Sequence, residues 1–174
     1  ENGTPVMGVI YRPTPIPSHK GRNGGGALYY GIVGTGAWLT YIDANASADE
    51  ALLRTALERS EALTLKGNRG KGRSPFTVVA SRSHLSPETV DFIEELRRQH
   101  PDLKLISSGS SLKICLVAEG KADVYPRHAP TMEWDTAAGH AIALAAGREM
   151  VDALTGLPLT YNKPDLHNPW FIVR

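Results

Sequence analysis

The sequence from Ala122 to Leu144 reads ADVYPRHAPTMEWDTAAGHAIAL, and the arrangement of the whole chain depends on how this stretch folds. Its two prolines exclude a continuous helix over the first half, because proline fixes φ and has no backbone N–H to donate. From Thr136 onward, small and apolar residues recur with a helical period, and Gly147 provides a stop signal. We therefore predict a helix whose first residues lie close to Asp135.

Asp135 has two interpretations at this position, at or next to the N-cap of the predicted helix. An aspartate there commonly accepts hydrogen bonds from the free N–H groups of the first turn, which is a purely structural role. The same amide donors and the positive end of the helix dipole keep a carboxylate ionised, which suits a ligand of Mg²⁺. Spacing alone leaves both interpretations open.

Composition and charge limit the class of protein. The chain has 174 residues, 41% of them hydrophobic, which is enough for one sizeable core or one domain with an appendage. Its 19 basic and 18 acidic residues give a net charge of +1, so no global field predicts binding to nucleic acid or to an anionic membrane. No apolar run has the length of a membrane span. The single cysteine, Cys115, lies in an apolar run and is predicted to be buried, which fits a reducing compartment.

The first half of the chain is predicted to contain an antiparallel meander. Three segments have the β-branched and aromatic content of strands, namely residues 6–11, 27–33 and 37–42. An amphipathic helix is predicted over residues 48–63. The basic, glycine-rich run from Lys66 to Arg73 has two open interpretations, a solvated loop or a loop that reaches over an anionic substrate.

The second half alternates strands with helices, which predicts an α/β layer. The clearest helix start follows Ser86, because a capping serine precedes Pro87 and Glu88. A further helix is predicted over residues 110–118. The strands of this half are predicted at residues 76–80, 103–107, 122–125, 149–152 and 170–173.

Three motifs carry a resemblance to a known family: GSSLK at residues 109–113, ADVYPR at residues 122–127 and WDTAAGH at residues 134–140. Together they resemble the C-terminal signature of the 3′(2′),5′-bisphosphate nucleotidases of the CysQ type, within the inositol monophosphatase superfamily of metal-dependent, lithium-sensitive phosphatases. The similarity runs from about Gly3 to the last residue. It implies an α/β (α+β) chain with the layered αβαβα sugar-phosphatase fold, lacking the N-terminal helices and strands of that fold.

The resemblance also implies how the chain is divided. Residues 1–75 are expected to be the remainder of an antiparallel-sheet domain plus a linker, and residues 76–174 a C-terminal α/β domain. The family's Asp-Pro-Leu-Asp-Gly-Thr motif, which precedes this region, does not occur in the sequence. We therefore expect the chain to be the C-terminal portion of a longer protein, with most metal ligands outside it. The meander would then keep an unpaired edge, whose partner is the missing portion as a separate chain or a second copy of this chain.

The activity that the resemblance implies is Mg²⁺-dependent hydrolysis of the 3′-phosphate of adenosine 3′,5′-bisphosphate, and of its sulfated form, in sulfur metabolism. Two alternatives stay open: hydrolysis of inositol or fructose phosphates by the same fold, and a phosphonucleotide-binding module without catalysis. The expected partner is a small phosphorylated nucleotide. The expected location is the cytoplasm, with peripheral attachment to the inner membrane as an alternative.

The same resemblance suggests roles for five side chains. Asp135 corresponds to a metal ligand that reaches the substrate through the metal, which makes it the candidate catalytic residue. Ser110, Lys113 and Arg127 match positions that contact the nucleotide in eukaryotic members, and His84 matches a motif near the nucleotide. Taken without the resemblance, Lys113 is interpreted as a surface lysine, Arg127 as an exposed ion pair and His84 as a histidine bonded to local backbone.

Overall fold

The first sheet is an antiparallel meander, as predicted. The protein's structure, a computed structural model, describes residues 2–13, 25–42, 50–63, 75–81 and 85–174. The sheet has the strand order β1-β2-β3-β4, and its strands are β1 (Met7–Arg12), β2 (Gly26–Ile32), β3 (Gly36–Ile42) and β4 (Glu61–Ala62). A tight turn joins β2 to β3, in which the N–H of Thr35 donates to the carbonyl of Ile32 at 2.9 Å.

The helix predicted over residues 48–63 is shorter in the structure. Helix α1 spans Glu50–Glu58 and ends in a turn. The chain then extends to form β4, and the N–H of Leu63 donates to the carbonyl of Ala37 at 2.7 Å. The prediction was therefore wrong beyond Glu58, because pairing with the edge of β3 satisfies the backbone there.

The second half contains two further sheets and three helices among the described residues. Strands β5 (Thr77–Ala80) and β6 (Lys104–Ser107) pair in parallel. A three-stranded antiparallel sheet has the order β7-β9-β8, with β7 (Tyr125–Arg127), β8 (Met150–Asp152) and β9 (Phe171–Val173). The helices are α2 (Pro87–Gln99), α3 (Leu112–Ala118) and α4 (Glu133–Ala145). This mixture of sheets and helices confirms the predicted α+β class.

Three predicted boundaries were wrong in this half. The strand predicted at residues 122–125 begins at Tyr125 and ends at Arg127. Its Pro126 is tolerated because β7 lies at the edge of its sheet. Helix α3 begins at Leu112 and not at residue 110, because Ser110 has a φ of 47°, outside the helical region. Helix α4 begins at Glu133, upstream of the predicted start.

Helix α4 packs directly on the meander because two glycines leave room for it. A Cβ placed on Gly8 would lie 2.1 Å from the carbonyl oxygen of Ala138. A Cβ on Gly31 would lie 3.0 Å from the Cα of Ile142. The backbone of the sheet thus approaches the backbone of the helix, which only glycine permits.

The core of the described residues forms three buried clusters. One joins the meander to α3 and α4 and includes Cys115, whose predicted burial is confirmed. The second surrounds Phe171 and Ile114, and the third lies between β5 and α2. The opposite face of the meander exposes large apolar side chains at Met7, Val9, Tyr11 and Ile32. Across the parts of the chain that the structure describes, every helix is too short or too polar to pass through a bilayer.

Candidate phosphate-binding and active site

A pocket of about 360 Å³ lies between the first turns of α3 and α4 and the end of β7. Its lining includes four of the predicted site residues and two that the sequence did not indicate: Ser110, Lys113, Arg127, Asp135, Ser81 and Thr136. The structure therefore brings together predicted site residues that are as far apart in the sequence as Ser110 and Asp135. Their roles remain predictions.

Lys113 is buried, contrary to its interpretation as a surface lysine. It is the second residue of α3 and only 4% exposed. Its ammonium donates to the carbonyl of Ser108 at 3.3 Å and lies 5.3 Å from the centroid of the Tyr125 ring. Burial lowers the pKa of Lys113, and the nearby positive charge of Arg127 lowers it further. A buried ammonium with one neutral carbonyl partner is well suited to meet an anion.

Arg127 presents a second cation to the same pocket. Its Nη2 donates to the carbonyl of Pro130 at 3.3 Å, while its Nε is buried and has no hydrogen-bond partner among the described residues. Within those residues neither Arg127 nor Lys113 forms an ion pair, so the interpretation of Arg127 as an exposed ion pair was wrong. Two neighbouring cations with no carboxylate partner in the described parts of the chain favour a site for a polyanion such as phosphate.

At the serine pair before α3, the side-chain hydroxyls are available to the pocket, whereas the backbone N–H groups that follow are not. The Oγ atoms of Ser110 and Ser111 are 3.4 Å apart at the edge of the pocket. The N–H of Lys113 donates to the Ser110 carbonyl, and the N–H of Ile114 donates to the Ser111 carbonyl at 3.0 Å. These two amides are therefore engaged within the chain, and the serine hydroxyls are the better donors.

Asp135 is the third residue of α4, whereas the sequence predicted it at or next to the N-cap. Its Oδ2 accepts the N–H of Met132, which is the N-cap, at 2.9 Å. This is the half of a capping box in which the third helical residue reaches back to the cap. The side chain is exposed and borders the pocket, so the same carboxylate stabilises the helix start and lies at the pocket.

The described residues do not by themselves complete a metal site. They contain no group of three or more His, Cys, Asp or Glu side chains placed to hold one ion. Glu133, two residues before Asp135, is occupied: its carboxylate accepts the N–H groups of Asn162 at 2.6 Å and Lys163 at 3.2 Å, and pairs with the Lys163 ammonium. The pKa of Glu133 is lowered mainly by the hydrogen bond from the Lys163 side chain. Asp135 thus fits a metal ion only as one ligand among several.

A segment from Tyr161 to Asn168, which we call the strap, crosses the first turn of α4. Thr136 lies at the centre of its contacts, because its hydroxyl accepts from Asn168 Nδ2 at 3.0 Å and from the Tyr161 hydroxyl at 3.3 Å. The Tyr161 hydroxyl also lies 3.0 Å from Nδ1 of the buried His140. Sequence reasoning missed the strap, because nothing in the local sequence indicates pairing with α4.

Two sequence predictions lie outside the described residues. These are the nucleotide-binding role of His84 and the interpretation of the run from Lys66 to Arg73. The neighbouring Ser81 is described and lines the pocket.

Comparison with known proteins agrees with the motifs. Residues 1–169 match the model of the inositol monophosphatase family. The chain is 37% identical to the 3′(2′),5′-bisphosphate nucleotidase CysQ of Salmonella typhimurium and 34% identical to that of Escherichia coli, in each case over 99% of this chain and 56% of the relative. The crystal structure of CysQ from Bacteroides thetaiotaomicron superimposes with a TM-score of 0.82 and 51% identity, covering 100% of this chain and 59% of that one.

These similarities extend along the whole chain, whereas the chain spans little more than half the length of the curated relatives it matches. The matched family accounts for both the meander and the α/β half, since the family model covers them together. The chain belongs to the inositol monophosphatase family.

Proposed function

We propose that the protein to which this chain belongs is a metal-dependent phosphatase that removes the 3′-phosphate of adenosine 3′,5′-bisphosphate to give AMP and phosphate. The observation that carries the proposal is the placement of two cations without ion-pair partners in the described residues, Lys113 and Arg127, in one pocket with Asp135. The similarity to CysQ nucleotidases supports the choice of substrate. The sulfated form of this nucleotide is a further candidate substrate, and sulfur metabolism its proposed context.

The described side chains have distinct tasks in this proposal. Lys113 and Arg127 bind phosphate oxygens, the first as a point charge and the second through its planar guanidinium. The hydroxyl of Ser110 donates to the same ligand from the N-terminal end of α3. Asp135 faces them as a metal ligand, with Mg²⁺ as the proposed ion and lithium sensitivity by family likeness. A bound ion of this kind supplies neutralisation of phosphoryl charge and an activated water.

The test is phosphate release by the complete protein with Mg²⁺ present. Adenosine 3′,5′-bisphosphate, its sulfated form, inositol 1-phosphate and fructose 1,6-bisphosphate are compared at equal concentrations. We expect the highest kcat/KM with one of the two adenosine nucleotides. Higher turnover of inositol or fructose phosphate would replace our proposal with a sugar-phosphatase function of the same fold.

A second candidate function is phosphonucleotide binding without catalysis. It is favoured by one observation, the lack of a group of three metal-ligating side chains in the described residues. Titration calorimetry with adenosine 3′,5′-bisphosphate, in the presence and absence of Mg²⁺, separates the two. Binding that needs no metal, together with no phosphate release by the complete protein, would support this candidate.

We also propose the division of the chain into residues 1–75 and 76–174 and a cytoplasmic location. The buried free thiol of Cys115 is compatible with a reducing compartment. Limited proteolysis around residue 75 and fractionation of cells test the two proposals separately.

A further inference from the structure

Asn168 makes an unusually dense set of contacts with the residues that lead into α4. Its side chain is 7% exposed, and its Nδ2 lies 2.8 Å from the carbonyl of Met132, 3.0 Å from the hydroxyl of Thr136 and 3.1 Å from the hydroxyl of Thr131. Its backbone N–H donates to the carbonyl of Thr131 at 2.9 Å. One side chain of the strap therefore contacts three of the six residues from Thr131 to Thr136.

The orientation of this amide is determined by its partners. The carbonyl of Met132 can only accept a hydrogen bond, so the nitrogen of the Asn168 side chain must face it. The opposite atom, Oδ1, is buried and has no partner among the described residues. The chain thus tolerates an unsatisfied buried oxygen on Asn168 while keeping its nitrogen on Met132, which makes this contact more than incidental packing.

Met132 is also the residue that holds Asp135. Its N–H donates to Asp135 Oδ2 at 2.9 Å, and its carbonyl accepts the N–H of Asp135 at 3.0 Å. Asn168 and Asp135 therefore act on the same residue, Asn168 from the strap and Asp135 from within the helix. Thr136 provides a second connection, because it follows Asp135 directly and shares the Asn168 nitrogen.

We infer that Asn168 is a positioning residue for Asp135. By fixing Met132 and Thr136, it sets the direction of the Asp135 carboxylate at the pocket, although it does not line the pocket itself. Its contribution to the reaction rests on the proposed function. Its effect on the geometry of Met132 and Asp135 is independent of the proposed function.

The matched control is another contact of the strap with α4. Lys163 binds the carboxylate of Glu133, which is not part of the pocket lining. Replacing Lys163 by Met removes a side-chain contact between the strap and α4 but leaves Asn168, Met132 and Asp135 as they are. A purely structural role of the strap predicts the same behaviour for Lys163→Met and Asn168→Ala.

The experiment compares these two variants in the complete protein by two measurements: hydrogen exchange at the Met132 amide and turnover of adenosine 3′,5′-bisphosphate. For Asn168→Ala we expect exchange at Met132 to increase about tenfold. We expect kcat to fall about tenfold to a hundredfold with KM changed less than about threefold.

The outcomes separate the inference from the proposed function. Equal hydrogen exchange at Met132 in Asn168→Ala and Lys163→Met would overturn the inference, as would an unchanged kcat in Asn168→Ala. If the wild-type protein does not hydrolyse the nucleotide, the proposed function fails, while the hydrogen exchange at Met132 still decides whether Asn168 positions this residue. Should Asn168→Ala not accumulate as folded protein, Asn168→Ser, which keeps one short donor, is measured against the same control and judged by the same outcomes.

Discussion

The ammonium of Lys113 lies 5.3 Å from the centroid of the Tyr125 ring, and the lysine that carries it is only 4% exposed. A lysine so placed is costly to the folded state, because burial and the charge of Arg127 both lower its pKa. The aromatic ring and the Ser108 carbonyl offset only part of this cost. The position is therefore explained better by ligand binding than by stability.

Replacing Lys113 with Met should separate these two effects. We expect the KM for the bisphosphate to increase by about tenfold or more, because a charge-assisted contact to phosphate is lost. The free energy of unfolding at pH 7 should stay unchanged or increase by about 1 kcal/mol, since the variant keeps the volume and removes the buried charge. Phosphate-release kinetics and urea unfolding measure the two quantities.

The stability difference of Lys113→Met should also depend on pH. In the wild type the folded state loses the Lys113 proton at a lower pH than the unfolded state, whose lysine pKa is 10.5. The free energy of unfolding of the wild type therefore increases relative to that of Lys113→Met as the pH rises from the folded-state pKa of Lys113 toward 10.5. A difference that is constant across this range would contradict the burial of a charged Lys113.

Asp135→Asn should abolish turnover with little loss of stability. Asparagine keeps an oxygen that can accept the Met132 N–H, so we expect the free energy of unfolding to change by less than about 1 kcal/mol. Turnover should fall by at least about a hundredfold, because a neutral amide is a poor ligand for a hard cation. Asp152→Asn is the control, since Asp152 holds the amides of a distant turn. Retained activity in Asp135→Asn would reduce Asp135 to a structural role.

His140 should make the protein sensitive to mild acid. Burial lowers the pKa of His140 to about 4 from an unfolded value of 6.5. The unfolded state therefore binds more protons between these values, and stability falls as the pH drops from about 6.5 toward 4. The loss from this group between pH 7 and pH 5 is about 2 kcal/mol.

Urea unfolding of wild type and His140→Gln at pH 7 and pH 5 measures this contribution as a difference. The comparison with the variant is necessary because burial also lowers the pKa of His128, which adds a loss of the same sign. Glutamine keeps a polar group near the Tyr161 hydroxyl without titrating. Equal losses in the two proteins would show that His140 is protonated as easily in the folded state as in the unfolded state.

Gly8→Ala should destabilise the fold although alanine is a conservative change. The added Cβ would lie 2.1 Å from the Ala138 carbonyl oxygen, so the helix or the strand must move. Overpacking of this kind costs about 1–3 kcal/mol. Gly109→Ala is the control, because a Cβ there meets nothing within 4 Å. Thermal unfolding of both variants tests the difference, and equal midpoints would mean that α4 can shift without cost.

Elements with local signals could be predicted from the sequence. Helix α2 begins where the sequence placed it, because Ser86 caps it by accepting the N–H of Thr89 and Pro87 occupies its first position. The meander likewise follows from alternating residues and short turns. In both cases the residues that decide the structure are neighbours along the chain.

The start of α4 and the environment of its pocket depend instead on distant residues. Met132 is a poor cap by type, and it caps α4 because Asp135 binds its N–H while Asn168, 36 residues away, binds its carbonyl. The motifs indicated Lys113 and Arg127 as site residues. The burial of Lys113 and of the Arg127 Nε atom could not be predicted, nor could the lack of carboxylate partners for both among the described residues, because these features follow from how β7 and α3 pack together.

The burial of the only cysteine also provides a way to observe the interior of the molecule. The thiol of Cys115 is 0% exposed and belongs to the cluster that joins the meander to α3 and α4, and its burial raises its pKa. A thiol reagent can therefore modify the native protein only when this contact opens. The rate of modification in the absence of denaturant thus reports how often the sheet and the helices separate, without any label added to the chain.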